Sequence, residues 1–122
     1  MIVSMPVSFH SDVPISTLTT IGLGGKARLF VSCKTIEEIK ESILFAKHQQ
    51  LQWQIIGGGS NIVFSDEGFN GVVIKIDTKG VNIVENGEDV LVEAAAGEEW
   101  DSFVQSCICD GLSGIECLSG IP

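Results

Sequence analysis

The first half of the chain has apolar and polar positions in a pattern typical of a strand, a helix and a second strand. Apolar runs at residues 27–33 and 53–56 indicate the strands. A capping box at Thr35–Glu38 begins the helix at Ile36, and the helical pattern ends near Gln49. Its apolar stripe is formed by Ile36, Ile39, Ile43 and Ala46. This succession predicts a βαβ-like unit over residues 27–57.

The second half predicts an antiparallel meander followed by a helix. Apolar and β-branched residues mark strands at 72–76, 81–85 and 90–94, and Asn86-Gly87 favours a hairpin because a type I′ turn needs positive φ at both central positions. A second amphipathic helix is predicted from about Glu98 to Asp110. We interpret its apolar stripe as core rather than as ring-stacking residues: Trp100, Phe103, Val104, Cys107 and Ile108.

Two glycine clusters lie outside these elements. Residues 19–25 precede the first strand, and Gly57-Gly58-Gly59 follows the second, directly before Ser60 and Asn61. Consecutive glycines are entropically costly to order, so their lack of side chains is needed for a close approach of the backbone. Bare N–H groups in such a turn converge on an anion, with Ser60 and Asn61 as further donors. A turn without a ligand explains the loop equally well at this stage, because it matches neither GxGxxG nor the P-loop pattern.

Net charge and hydropathy restrict the kinds of molecule that the chain is expected to bind. The 122 residues include 16 acidic and 7 basic side chains, a net charge of −9, which argues against nucleic acid and anionic membranes. An anionic ligand would therefore be held locally by backbone dipoles. No secretory signal pattern and no membrane-length apolar run is found, so we expect a cytoplasmic protein without membrane contact.

The remaining chemistry-bearing residues favour neither a metal site nor an acid–base pair. The four cysteines are predicted to be free thiols that pack as small hydrophobes, since Cys107 and Cys109 would lie on opposite sides of a helix. The other candidates are interpreted as surface residues: His10, His48, Asp66 and Glu67.

Four stretches together carry a resemblance to a known family. They are Thr20-Ile21-Gly22-Leu23-Gly24-Gly25-Lys26-Ala27, Ile56-Gly57-Gly58-Gly59-Ser60-Asn61 with Ser65-Asp66-Glu67-Gly68-Phe69, Val92-Glu93-Ala94 with Ala96-Gly97 and Trp100, and Gly111-Leu112-Ser113-Gly114-Ile115-Glu116 with Gly120-Ile121-Pro122. In this order they resemble the N-terminal part of the UDP-N-acetylenolpyruvoylglucosamine reductases. The resemblance covers nearly the whole chain from about residue 14.

The resemblance implies a fold and an activity. The fold is α+β, the FAD-binding type of the vanillyl-alcohol-oxidase (PCMH) superfamily. It would comprise a βαβ-like first FAD-binding subdomain at 19–71 and a second, incomplete subdomain at 72–122. Before them, Pro6, Pro14 and the Ser/Thr-rich passage 16–20 predict an irregular lead segment at 1–18. These bacterial oxidoreductases use NADPH, through FAD, to reduce the enolpyruvyl ether of a UDP-sugar to UDP-N-acetylmuramate. This reaction belongs to peptidoglycan synthesis, and so to cell wall, cell shape and cell division.

The resemblance also implies which residues hold the cofactor. Gly57, Gly58, Gly59, Ser60 and Asn61 match the loop that binds the FAD pyrophosphate through backbone amides, and Ile121 matches the start of a second flavin-contacting loop. No catalytic residue and no metal ligand is expected in this chain. The family's catalytic residues and substrate domain would lie beyond Pro122, so we expect the fragment to be inactive alone. Thr19-Thr20-Ile21 departs from the family's usual Asn-Thr-Phe.

Two other classes of function remain open from sequence. One is a non-catalytic binding or interaction domain that keeps the flavin fold. The other is a sugar or alcohol oxidase of the same superfamily, which is disfavoured because His10 and His48 are poorly placed for a covalent flavin link. An unfinished sheet edge would also favour self-association.

Overall fold

The computed structural model describes residues 7–121, and the chain divides into two compact units, residues 1–77 and 78–122. The boundary lies after Asp77, whereas the sequence placed it after Gly71. The reason is the strand Phe69–Ile76, which pairs with two strands of the first unit, one from Phe69 to Ile76 and the other from Gly71 to Lys75, and therefore belongs to that unit.

The first unit is a four-stranded sheet with one helix. Its elements are β1 (His10–Pro14), the 3-10 turn Ile15–Thr17, β2 (Lys26–Cys33), α1 (Ile36–His48), β3 (Gln52–Ile56) and β4 (Phe69–Ile76). The strand order is β1-β2-β4-β3, in which β1 runs antiparallel to β2 and the other three strands are parallel. The predicted βαβ-like unit is confirmed as β2-α1-β3, with β4 between its two strands.

The position of β4 corrects the expected meander. Val72, Val73 and Ile74 are each 0% exposed, although consecutive side chains of a strand point to opposite faces of the sheet. Both faces of β4 are therefore covered, as is typical of a central parallel strand. The expectation that this strand begins an antiparallel meander is therefore wrong, since β4 is parallel to both of its neighbours.

Two apolar clusters cover the two faces of the sheet. On one face, α1 packs over the cluster of Val31, Cys33, Ala46, Val72 and Ile74. On the other face, the segments after β1 and β3 cover the cluster of Ile15, Ala27, Ile56 and Val73, with Leu18, Ile62 and Phe64 packed against it. The loop after β3 is thus fixed to the sheet by its own apolar side chains.

Helix α1 begins as the capping box predicts. Thr35 Oγ1 accepts from the Glu38 amide at 3.2 Å, and Glu38 Oε2 accepts from the Thr35 amide at 3.3 Å. The apolar stripe differs from the prediction, because Ile36 is 61% exposed and Ser42 is fully buried. The Ser42 hydroxyl donates to the Glu38 carbonyl at 2.7 Å, which satisfies this buried polar group inside the helix.

The cysteines are free, and two of them are core residues. Cys33 and Cys107 are buried, whereas Cys109 and Cys117 are exposed. Burial raises the pKa of the Cys33 thiol, against an opposing hydrogen bond with Ser42 and with a smaller contribution from Glu38. Cys33 and Cys107 therefore pack as the small hydrophobes predicted from sequence.

Two strands differ from their predictions. The lead segment was expected to be irregular, but His10–Pro14 pairs with β2 and Ile15 is 0% exposed; the part of that expectation on residues 1–6 lies outside the described residues. The strand at 53–56 was expected to be buried, but β3 lies at an edge of the sheet with Trp53 exposed. Apolar composition alone does not distinguish an edge strand from a central one.

The second unit contains a hairpin, a helix and a short 3-10 turn. Its elements are β5 (Val81–Asn86), β6 (Asp89–Ala94), α2 (Trp100–Cys109) and the 3-10 turn Glu116–Leu118. The predicted hairpin is confirmed, but Asn86 pairs with Asp89, so the two-residue loop is Gly87-Glu88. Of these two, only Gly87 has positive φ, and the predicted type I′ turn is therefore wrong.

Helix α2 buries part of its predicted stripe. Val104 and Cys107 are buried, the rings of Trp100 and Phe103 lie 5.7 Å apart between centroids, and Ile108 is 42% exposed. Across residues 7–121, no helix is both long and apolar enough to span a bilayer.

The α1 cap gives a stability prediction. Replacing Thr35→Ala removes the acceptor for the Glu38 amide, so the free energy of unfolding should fall by about 1 kcal/mol. Urea unfolding followed by circular dichroism measures this loss. Thr20→Ala, an exposed threonine outside the helix, is the control, and an equal loss in both variants would contradict the cap.

Candidate functional site

The triple-glycine loop begins where the parallel strand β3 ends. Ile56, the last residue of β3, is buried, and the chain then comes to the surface at Gly57 and Gly58. Gly59 is buried again, while Ser60 and Asn61 are exposed. Crevices at the carboxyl ends of parallel strands are the usual ligand sites of such sheets.

The outer side of the loop is bare backbone. A Cβ atom added at Gly57 or Gly58 would meet no other atom within 4 Å. The described part of the chain also forms backbone hydrogen bonds in its turns and loops. The amides of residues 58–61 donate none of them. The loop therefore leaves room for a ligand against the backbone of Gly57 and Gly58, and its amides are available to an anion, as in an anion-binding nest.

The inner side of the loop is fixed by Gly59. This residue has φ +74°, and a Cβ atom there would lie 2.0 Å from the carbonyl oxygen of Leu18 and 3.0 Å from the Cα of Thr19. No side chain fits in that space, and the positive φ is itself unfavourable for any other residue. Gly59 is thus required for packing, whereas Gly57 and Gly58 are not.

The first glycine cluster forms the neighbouring wall. The Thr20 amide donates to the Gly59 carbonyl at 2.9 Å, and the Gly25 amide donates to the Ser65 carbonyl at 2.9 Å. The segment 18–25 therefore runs beside the segment 57–65, and the structure brings together the two glycine clusters that are separate in the sequence. Their exposed apolar side chains are Ile21, Leu23 and Val63.

Thr19 carries an unpaired hydroxyl at this wall. Its Oγ1 is the one buried side-chain nitrogen or oxygen among the described residues that has no hydrogen-bond partner. Burying such a group without a partner is unfavourable, and in native structures it usually has a specific reason. The hydroxyl belongs to the residue whose Cα lies against Gly59.

No charged side chain belongs to either wall. Residues 18–25 and 57–65 contain no Asp, Glu, Lys, Arg or His, and the first carboxylates after the loop are Asp66 and Glu67. Both are exposed, as predicted, and Glu67 donates its amide to Ser65 Oγ at 3.2 Å. An anion in this site would be held by backbone dipoles and neutral donors.

The predicted site residues fall into two groups. Gly57, Gly58, Gly59, Ser60 and Asn61 form one continuous loop in the first unit. Ile121 lies in the second unit, after the 3-10 turn Glu116–Leu118, and is 48% exposed. Its contact with a flavin stays a prediction.

Sequence reasoning missed three contributors to these walls. They are the Leu18 carbonyl against Gly59, the Thr19 hydroxyl and the Ser65 carbonyl that accepts from Gly25. All three act through backbone or through burial, so residue type gave no signal. Only the presence of two glycine clusters indicated that two segments could cooperate.

The histidines and the possible metal ligands were the remaining candidates for a functional site. His10 and His48 are exposed, as predicted. Within residues 7–121, no group of three or more His, Cys, Asp or Glu side chains is arranged to hold a metal ion.

Comparison with known proteins matches this arrangement to one family. Residues 27–122 match the family described as FAD binding domain. A UDP-N-acetylenolpyruvoylglucosamine reductase from Thermobifida fusca is 43% identical over 119 residues, which are 97% of this chain and 33% of that protein. A UDP-N-acetylenolpyruvoylglucosamine reductase 2 from Corynebacterium glutamicum is 41% identical over 95% of this chain and 31% of its own length.

A solved structure shares the fold. It is the UDP-N-acetylenolpyruvylglucosamine reductase of Thermus caldophilus, with a TM-score of 0.67 and 28% sequence identity over 98% of this chain and 39% of that one. The α+β fold of the FAD-binding type predicted from sequence is thereby confirmed.

The chain spans about one third of the length of the curated relatives it matches. The match to the FAD-binding family covers residues 27–122, which are most of this chain, and it includes the whole triple-glycine loop. The chain therefore belongs to the FAD-binding domain family, and FAD is the cofactor of that family.

Proposed function

We propose that this chain is the N-terminal FAD-binding portion of a reductase that converts UDP-N-acetylenolpyruvoylglucosamine to UDP-N-acetylmuramate in peptidoglycan synthesis. The observation that carries the proposal is the loop 57–61 beside the first glycine cluster, where Gly57 and Gly58 border open space and the amides of residues 58–61 donate no backbone hydrogen bond in the described loops. The named relatives over 97% and 95% of the chain support the reductase class.

The loop suits the pyrophosphate of FAD. A pyrophosphate needs several donors and a backbone that it can approach closely. Gly57 and Gly58 leave the backbone open, and the amides of residues 58–61 donate no backbone hydrogen bond in the described loops. The exposed apolar side chains of Ile21, Leu23 and Val63 lie on the same two segments and offer apolar surface to the flat ring systems of the dinucleotide. The residues present therefore fit the cofactor.

Two parts of the chain then have a role in binding FAD. The amides of Gly58 and Gly59, with the side chains of Ser60 and Asn61, hold the pyrophosphate, and Gly59 keeps the loop against the segment 18–25. Ile121 begins a second contact with the flavin. When bound, FAD supplies the hydride-transfer chemistry between NADPH and the enolpyruvyl ether.

The proposal assigns cofactor binding, and no catalytic residue, to residues 1–122. The relatives are about three times as long as the matched region, and we infer that substrate binding and proton donation depend on the remainder. The chain alone should accordingly bind FAD without reducing the UDP-sugar. A cytoplasmic location, where NADPH and UDP-sugars are found, belongs to the same proposal.

We also propose, separately, that the chain associates with another copy of itself through the β5–β6 hairpin. Among the described strands β5 and β6 pair only with each other, and a two-stranded sheet is marginally stable in water. Five of its apolar side chains are exposed: Val81, Ile83, Val84, Val90 and Leu91. Unpaired edges of this kind tend to find a partner strand.

Gly58→Ala tests the pyrophosphate site. The added methyl group meets no atom of the protein, so the free energy of unfolding should change little. It would, however, occupy the space next to the amides, and the dissociation constant for FAD should rise about tenfold or more. Flavin fluorescence during titration of the purified chain measures the affinity.

Gly59→Ala is the contrasting variant. Its methyl group would lie 2.0 Å from the Leu18 carbonyl oxygen, so it should lower stability as well as affinity. Equal FAD affinity of wild type and Gly58→Ala, with both folded, would contradict the assignment of the pyrophosphate to this loop.

Sedimentation equilibrium tests self-association. We expect a concentration-dependent dimer that Leu91→Lys weakens, because a charge on the exposed hairpin opposes pairing between copies. Leu44→Lys, at a leucine of α1 that is 55% exposed, is the matched control and should leave the dimer unchanged. A monomer at the highest concentration reached would refute the interface.

A further inference from the structure

The last segment of the second unit folds back onto the first turn of α2. Asp101 Oδ1 accepts hydrogen bonds from the Ser119 hydroxyl at 2.5 Å and from the Gly120 amide at 3.0 Å. The indole Nε1 of Trp100 donates to the Leu118 carbonyl at 2.7 Å. Three consecutive residues, 118–120, are thus held by two consecutive residues of one helix.

The segment before these contacts is braced internally. The Leu118 amide donates to the Ile115 carbonyl at 2.9 Å, and Glu116 Oε2 accepts from the Gly114 amide at 2.5 Å. Hydrogen bonds from backbone amides also lower the pKa of the Glu116 carboxyl. Residues 114–119 therefore form a compact turn, and Asp101 and Trp100 attach that turn to α2.

Asp101 differs from the other acidic residues near the start of α2. Glu98 accepts from the Gly80 amide at 2.6 Å, and Glu99 accepts from the Ser102 hydroxyl at 2.5 Å. Favourable placement at the helix N-terminus would explain all three carboxylates equally. Among the described contacts only Asp101 reaches residues 119 and 120, so its position needs a reason beyond the helix dipole.

We infer that Asp101 is a positioning residue for flavin binding, because it fixes the Gly120 amide and so directs Ile121. This inference rests on the proposed function, in which Ile121 begins the second flavin contact. Gly120 has φ +79°, and an unrestrained glycine would populate this conformation as only one of many. The two hydrogen bonds to Asp101 select that conformation before the cofactor binds, and preorganisation of this kind improves affinity.

Asp101→Ala is the principal test, with two readouts on the same protein. Amide hydrogen exchange at Gly120 should become about tenfold faster, because its charged acceptor is lost. Exchange in the middle of α2, at Val104 and Cys107, should not change. The dissociation constant for FAD should rise about tenfold.

Two further variants separate positioning from a general loss of charge. Asp101→Asn keeps an oxygen acceptor at the same place and should restore much of both the Gly120 protection and the FAD affinity. Asp110→Ala removes an exposed carboxylate at the other end of α2 and should leave both readouts at the wild-type value.

The outcomes distinguish this inference from the function on which it rests. Unchanged Gly120 exchange in Asp101→Ala, or faster exchange with unchanged FAD affinity, would overturn the positioning role while leaving FAD binding intact. Failure of the wild-type chain to bind FAD would contradict the proposed function, and the positioning role with it.

Discussion

The contact of Gly59 with the backbone of Leu18 and Thr19 is the constraint on which the candidate site depends. It leaves no room for a side chain, and the accompanying hydrogen bond from the Thr20 amide to the Gly59 carbonyl joins two segments that are distant in sequence. Because the loop is fixed on this side, its backbone keeps one arrangement. A nest of donors that is already ordered binds an anion without a further entropic cost for the loop.

The sheet explains why the loop can be held in this way. The central strand β4 is covered on both faces, with α1 on one side and the segments after β1 and β3 on the other. Directly after the glycines, Ile62 and Phe64 pack against the apolar cluster that contains Val73. The loop is exposed at Gly57, Gly58, Ser60 and Asn61, whereas Gly59 is buried. Because neither wall carries a charged side chain, backbone dipoles are the source of attraction for a phosphate.

Sequence analysis succeeded where the deciding interactions are local. The Thr35–Glu38 cap, the β5–β6 hairpin and the triple-glycine turn after β3 each depend on a few neighbouring residues, and each was predicted, although the hairpin loop lies one residue further on. It failed where pairing between distant segments decides: β1 was missed, β3 proved to be an edge strand, and β4 lies between β2 and β3. Within the site, residue types identified the loop itself, but they gave no indication of the Leu18 carbonyl or the buried Thr19 hydroxyl.

The central claim is that the backbone of residues 58–61 binds the pyrophosphate of FAD. The most direct test is a ¹H–¹⁵N spectrum of the labelled chain during titration with FAD. The account predicts that the largest amide shifts occur at Gly58, Gly59, Ser60 and Asn61, since their N–H groups would acquire an acceptor. Binding that leaves these four amides unshifted, with the changes elsewhere in the chain, would contradict it.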